Sequence, residues 1–411
     1  MIDNFPVPAV KVFASDTEPV LKILFYLDDV AEFNKHGYAP NCVARALSNS
    51  GAQVDLRDRT TVKEITADLL RTYDEVWFFL ISRNMDERLT DKECVALREW
   101  MDRGGGVLLT GDHADVDKDS LGFEGLGRPI GGEVPRARHM RVWDGPPGAE
   151  RKYGKIDSTE ISGGRKKDPS LLEEDTTPQR LLLPLDPDNT PHALFLDAHD
   201  VLLDRLPDHI HEGKVLVPRS LADAPGPNLA QRHEWWGATN LPEIVARGVD
   251  WRNGVSFDLM AAWDGHVVHT LKDPNEGWQV CGRILADSSW HHYADYNLKK
   301  ILRKGLPLDQ WKIRDLYLNI AAWLAPPKIQ SIYRGRVYKR VSERIGSPDG
   351  ISDEDLGVRA LQLFAELLPG AWYHQLIDDR LAEHAAATMQ SLPRESVAPL
   401  IGASMRRYIA G

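Results

Sequence analysis

Gly104-Gly105-Gly106-Val107-Leu108-Leu109-Thr110-Gly111-Asp112-His113-Ala114-Asp115 is the stretch whose reading decides the fold. Three glycines close a helix-like segment, Val107 to Thr110 reads as a fully buried strand, and polarity then returns abruptly. A short apolar run between turn signals marks a central parallel strand. In open α/β sheets the chemistry collects just past the carboxyl ends of such strands, which is where Asp112 and His113 stand. A plainer role suits the same pair: Asp112 capping a following helix and His113 packing as a satisfied polar side chain.

Upstream, strand and helix patterns alternate. Lys22 to Leu27 predicts a first strand that ends in Asp28-Asp29, after an irregular arm over 1–20. Asn41 to Ser50 predicts a helix closed by Gly51, and Gln53 to Leu56 a second strand. A helix over Thr61 to Tyr73 and a third buried strand over Glu75 to Ile81 follow. Thr90-Asp91-Lys92-Glu93 has the spacing of a capping box and opens a helix running to Arg103. Such repeated alternation implies a doubly wound, mainly parallel sheet of the α/β, flavodoxin-like class.

Downstream, glycines and prolines punctuate a polar insertion over about 117–190, the kind of segment that builds a lid or binding loop. Apolar runs return at Ala193 to Leu196 and Lys214 to Val217. Val255 to Trp263 and His266 to Thr270, joined by Asp264-Gly265, predict a strand pair. Gly282 to Asp287 predicts another buried strand, running into Ser288-Ser289-Trp290-His291-His292. Leu308 to Leu324 predicts a helix, and helical patterning continues to 411 with breaks at Gly346-Ser347-Pro348 and Pro369-Gly370. The expected organisation is an arm over 1–20, an α/β domain over 21–305 and a helical region over 306–411.

Composition narrows the function classes. The 411 residues carry a net charge of −11, which argues against general nucleic-acid binding, since phosphate neutralisation needs a concentrated basic surface. Cys42, Cys94 and Cys281 lie far apart, so neither a disulfide framework nor a thiolate zinc site is implied. No apolar stretch is long enough for a membrane span and no secretory leader is read, so a cytoplasmic protein is expected.

Three stretches could carry chemistry. Asp112-His113 is the first. Asp208-His209-Ile210-His211-Glu212 is the second, and on an extended segment its two imidazoles share one side, as two ligands of a single metal would. Trp290-His291-His292 is the third. His-x-His pairs also occur on exposed strands, and paired histidines after a strand also serve as hydrogen-bonding loops. Two of the three stretches follow well-defined strands, which favours their convergence on one crevice. Asp28, Asp29 and His36 should border it by topology, as groups that could hydrogen-bond a polyol.

In this order the motifs resemble the class I glutamine amidotransferase-like fold, in its trehalose-utilisation (ThuA-like) branch. The resemblance rests on Gly104 to Ala114 and on Gly282-Arg283-Ile284-Leu285 through Trp290-His291, and it covers roughly 20–120 and 190–300. Amidotransferases of this fold place a nucleophilic cysteine where this chain has Asp112-His113, so thiolate glutaminase chemistry is not implied.

The function expected is that of a hydrolase or lyase acting on a small polar, carbohydrate-like substrate without a cysteine nucleophile. In its metal-dependent form His209, His211 and one of His291 or His113 hold a divalent ion (Zn, Mn or Fe), with Asp112, His113 and Glu212 as acid–base candidates. Asp28, Asp29, His36, Trp290 and His292 are the expected substrate contacts, Trp290 as an apolar platform for a sugar face. Two alternatives stand beside it: a metal-free enzyme using a His–Asp pair, and a non-catalytic sugar- or nucleotide-fragment-binding module. In either case the partner is a small molecule, and self-association through the C-terminal helices is the assembly to look for.

Overall fold

The computed structural model describes residues 5, 13, 21–27, 30–79, 89–110, 141–142, 156–157, 178–187, 189–207, 210–211, 214–215, 217, 241–250, 255–267, 269–273, 277–304, 307–388 and 391–410. One sheet holds β1 (Lys22–Leu27), β2 (Gln53–Arg57), β3 (Glu75–Phe79), β4 (Gly106–Thr110), β5 (Glu243–Asp250), β6 (Val255–Trp263) and β7 (Ile284–Asp287). Its spatial order is β5-β6-β7-β4-β3-β1-β2. All neighbours from β7 to β2 are parallel, and β6 and β5 extend the β7 edge antiparallel. The order reverses between β1 and β3, the kind of switch point at which open sheets form a crevice.

Helices cover both faces. They are α1 (Val30–His36), α2 (Asn41–Asn49), α3 (Ala67–Leu70), α4 (Asp91–Met101), α5 (Asp295–Lys304), α6 (Pro307–Leu324), α7 (Pro327–Ile345), α8 (Asp353–Leu367), α9 (Gly370–Thr388) and α10 (Val397–Ala410). Alternation along the strands sorts the core into two layers. Ile23, Phe25, Trp77, Phe79, Leu108 and Leu285 pack with α2, α5, α6 and the C-terminal helices. Leu24, Tyr26, Val76, Phe78, Val107, Leu109 and Ala286 pack with Leu70, Leu97 and Met101 of α3 and α4. Burial on both faces explains why these strands are continuous apolar runs.

Local chemistry fixes the helix starts. Thr90 and Glu93 form the capping box of α4, and the Glu93 carboxylate also accepts the Ile65 N–H at 2.8 Å and pairs with Arg59. Thr66 caps α3, which is a single short turn; the helix expected over 61–73 is cut back because Asp58 draws Thr60 and Thr61 into a turn of their own. Pro326 and Pro327 end α6 and begin α7, with Pro327 at the first helical position. No described helix is long and apolar enough to cross a membrane.

The glycines of the deciding stretch serve packing. A Cβ on Gly282 would fall 1.8 Å from the Gly105 carbonyl oxygen, and one on Gly106 would fall 2.2 Å from that of Leu324. The lead-ins to β4 and β7 and the end of α6 therefore touch backbone to backbone. Gly265 joins the same knot, 2.1 Å from the Gly282 oxygen by the same measure.

A second expectation is corrected by the strand pairing. The strand following Asp264-Gly265 does not pair with β6: Gly265–Val267 forms a 3-10 turn and His269–Asp273 pairs with Gly277–Val280. The chain at Gly265 is pinned against Gly282, so β6 pairs with β5 and β7 instead. The apolar run at Ala193–Phe195 forms a 3-10 turn, and Asn319 of α6 donates to the Leu194 and Leu196 carbonyls at 3.1 and 2.7 Å.

Gly282→Ala should cost about 3 kcal/mol or more, since its methyl meets backbone that no rotamer change can move. Urea unfolding of the variant checks this, and a midpoint equal to that of the wild type contradicts the packing described.

Candidate functional site

The carboxyl end of β7 stands in line with the carboxyl ends of β4, β3 and β1 at one edge of the sheet. Asp287 closes the strand, Ser288 and Ser289 lead out of it, and Trp290–His292 forms a 3-10 turn into α5. The turn is locally determined: the Ser289 hydroxyl accepts the His291 N–H at 3.2 Å, and Asp287 Oδ1 accepts the Ser289 N–H at 3.0 Å. His292 is folded back onto the strand it has just left. Its Nδ1 lies 2.9 and 2.8 Å from the two Asp287 oxygens, with both side chains fully buried.

The other end of the ring fixes its tautomer. Gln179 Nε2 is 2.7 Å from His292 Nε2 and donates to the Pro207 carbonyl at 3.3 Å. An amide nitrogen only donates, so His292 Nε2 accepts and Nδ1–H points at Asp287. The result is an oriented imidazole with its accepting lone pair covered by one side-chain amide. Gln179 belongs to the short strand Gln179–Arg180, which pairs with Arg205–Leu206. That pairing brings Pro207, two residues before His209, to the histidine.

Around this pair sit polar groups whose needs are not met among the described residues. Ser288 Oγ, Trp290 Nε1 and Asn297 Oδ1 are buried without a hydrogen-bond partner among the described residues. Burial, and then the Asp287 charge, pushes the Tyr293 phenol well above its ordinary range. Trp290 packs on Phe33 of α1 and on Tyr38, with centroids 5.8 and 4.9 Å away, and His291 lies over Trp290 at 3.9 Å. The end of β7 therefore meets the loop region after β1.

Asp295 ties the same two regions by hydrogen bonds. Pro40 supplies no side-chain cap to α2, and Asp295 from α5 takes that place, accepting the Cys42 N–H at 2.6 Å and the Asn41 amide at 3.1 Å. Burial, and then Asp295, pushes the Cys42 thiol up to about 12, which leaves it a thiol at neutral pH.

Of the expected site residues, Trp290, His291 and His292 are placed together at this edge, all buried. His36 lies in α1, and His211 in a two-residue strand paired with Ile156–Asp157; only their backbone positions are described. Asp28, Asp29, Asp112, His113, His209 and Glu212 lie outside the described residues. Among the described residues no group of three or more His, Cys, Asp or Glu could hold a metal. Sequence reading missed the roles of Asp287, Gln179 and Asp295. Asp287 left a signal, an acid ending a buried strand five residues before a histidine, whereas Gln179 left none.

No family model matches the sequence, and no curated protein matches it. Among solved structures the chain is similar to the mmIFT52 N-terminal domain at 12% identity and a TM-score of 0.34, over 71% of this chain and 96% of that one. It is also similar to a ThuA-like protein from Bacteroides uniformis at 12% identity and a TM-score of 0.31, over 76% and 95% of the two chains. At TM-scores this low, neither likeness fixes chemistry or partners.

Asp295→Ala should cost on the order of 2 kcal/mol, because it strips the start of α2 of a charged acceptor. Equilibrium urea unfolding measures the loss, and an unchanged midpoint would mean that the cap contributes nothing.

Proposed function

We propose that the chain is a hydrolase or lyase of the ThuA-like branch, acting on a small polar, carbohydrate-like substrate at the carboxyl edge of β1, β3, β4 and β7. The observation that carries this reading is the Asp287–His292–Gln179 chain of contacts. Asp287 orients the ring and stabilises the charge it gains, and His292 Nε2 accepts a proton from a substrate hydroxyl or an attacking water. The Gln179 amide holds the place that such a donor would take, and its displacement opens the base. The unmet polar atoms of Ser288, Trp290 and Asn297 suit hydroxyl-rich ligands. The branch assignment rests on the sequence resemblance alone.

A second reading keeps a divalent metal (Zn, Mn or Fe) on His209, His211 and His291. It is favoured by the Pro207 carbonyl, which shares the Gln179 amide with His292 and brings the chain leading into His-x-His to the crevice. Its acid–base candidates are Asp112, His113 and Glu212, and Asp28, Asp29 and His36 remain the proposed substrate contacts in both readings.

A panel of small glycosides and polyol esters, followed for turnover, tests the first reading. Asp287→Asn should lower turnover by about 10²–10⁴-fold, as loss of an oriented acid–base group does, while the fold survives this near-isosteric change. Wild-type turnover in a folded Asp287→Asn protein would reduce the pair to a packing strut. Elemental analysis of protein purified without chelator tests the second reading. Near-stoichiometric metal that disappears together with activity in His211→Ala, and is retained without turnover in Glu212→Gln, is the result it predicts; metal-free active protein excludes it.

A further inference from the structure

The strand pair that presents Gln179 to His292 is too short to hold itself. Gln179 pairs with Leu206 and Arg180 with Arg205, and the Leu181 N–H donates to the Asp204 carbonyl at 3.1 Å. Paired strands of this length are marginal on their own and take their stability from what they are fastened to.

α6 is that fastening. Lys312 Nζ lies 2.7 Å from Asp204 Oδ1, and the Asp204 side chain is only 9% exposed. One turn earlier on the same helix, Asp309 Oδ1 lies 3.3 Å from Arg205 Nε. Leu206 is fully buried in the layer that also holds Ile313 and Leu316 of α6. The Asp204 carboxylate has two further cations from the strand pair itself, Arg205 Nη1 at 3.1 Å and Arg180 Nε at 3.6 Å. Lys312 therefore does more than neutralise Asp204: it joins the strand pair to the helix.

The histidine is fixed to the same helix. Further along α6, Tyr317 donates from its hydroxyl to the His292 carbonyl. Both members of the Gln179–His292 contact are thus mounted on α6, the ring through Tyr317 and the amide through Lys312 and Asp309. Their 2.7 Å separation is set by how firmly the strand pair sits on that helix.

We propose that Gln179 is an autoinhibitory plug on His292 and that Lys312 and Asp309 are the positioning residues that keep it seated; the inference rests on the reading of His292 as a base that acts through Nε2. The neutral ring has one accepting nitrogen, so the Gln179 amide and a substrate hydroxyl exclude each other there. The amide is held from its other side by the Pro207 carbonyl at 3.3 Å, which belongs to the same strand pair and moves with it. A ligand that seats a hydroxyl on Nε2 must therefore work against the two ion pairs to α6, and weakening them opens the base without touching Asp287.

Nitrogen-15 NMR of the imidazole rings in the full chain, without substrate, tests the proposal at His292 Nε2. Gln179→Met keeps the side-chain length and removes the donor, so it marks the unplugged position, downfield of wild type because an accepting nitrogen loses its hydrogen bond. Lys312→Met should move Nε2 the same way, and Lys312→Met with Asp309→Asn further, while the proton stays on Nδ1 facing Asp287. Asp204 keeps Arg205 and Arg180 in both variants, so they should fold, and their melting curves verify this. Carbethoxylation of His292 by diethyl pyrocarbonate, mapped by mass spectrometry, should be about tenfold faster in the double variant, the equivalent of one typical hydrogen bond lost. A Nε2 resonance at the wild-type position in the folded double variant, or in Gln179→Met, would overturn the proposal, as would an unchanged rate of carbethoxylation. Failure of the base reading shows separately, as undiminished turnover in Asp287→Asn.

Discussion

The structure depends on a backbone contact with no room for a side chain. Gly105 and Gly282 bring the lead-ins of β4 and β7 together, and Gly106 brings the end of α6 against the same point. Everything downstream inherits its position from that contact. β7 enters beside β4 in parallel register, so Asp287 emerges at the carboxyl edge level with the end of β4. α6 is drawn beneath the sheet, where Tyr317 donates to the His292 carbonyl and holds the turn. A glycine-rich stretch before a strand invites a phosphate-loop interpretation. Here the missing side chains serve chain-to-chain packing.

The two ends of β7 differ in their electrostatic logic. At the carboxyl end, a buried carboxylate and a buried imidazole satisfy each other, and an amide completes the chain, so a group that could transfer protons is held ready in one tautomer. At the amino end, Arg283 is spent on Asp264 and the Trp323 carbonyl. Burial sets the cost at the carboxyl end, because a polar group taken from water must find a partner. Asp287 and His292 find theirs in each other and in Gln179, whereas Ser288, Trp290 and Asn297 find none among the described residues.

How much of this was legible in the sequence follows from which forces are local. β1, β3 and β4 were readable because burial on both faces leaves an unbroken apolar run, and the capping box of α4 because it spans four consecutive residues. β5 was not seen: an edge strand carrying Glu243, Arg247 and Asp250 shows no such run, and Gly248 interrupts it. The expected hairpin after β6 failed because Asp264-Gly265 looks like a turn dipeptide, while the Gly265–Gly282 contact and the Arg283–Asp264 pair are made across long sequence separations. In the site, His291 and His292 were visible as polarity after a strand. Asp287 became meaningful only once a 3-10 turn folded the chain back, and Gln179 is 113 positions from its partner.

The site turns on the tautomer of His292, with its proton on Nδ1 facing Asp287 and its Nε2 accepting from the Gln179 amide. Long-range proton–nitrogen NMR of the imidazole groups, assigned through a His292→Asn variant, tests this most directly. A slowly exchanging proton on Nδ1 and an accepting Nε2 are the expected result for the neutral ring of His292. A proton on Nε2, or a rapidly exchanging imidazole exposed to solvent, would contradict it.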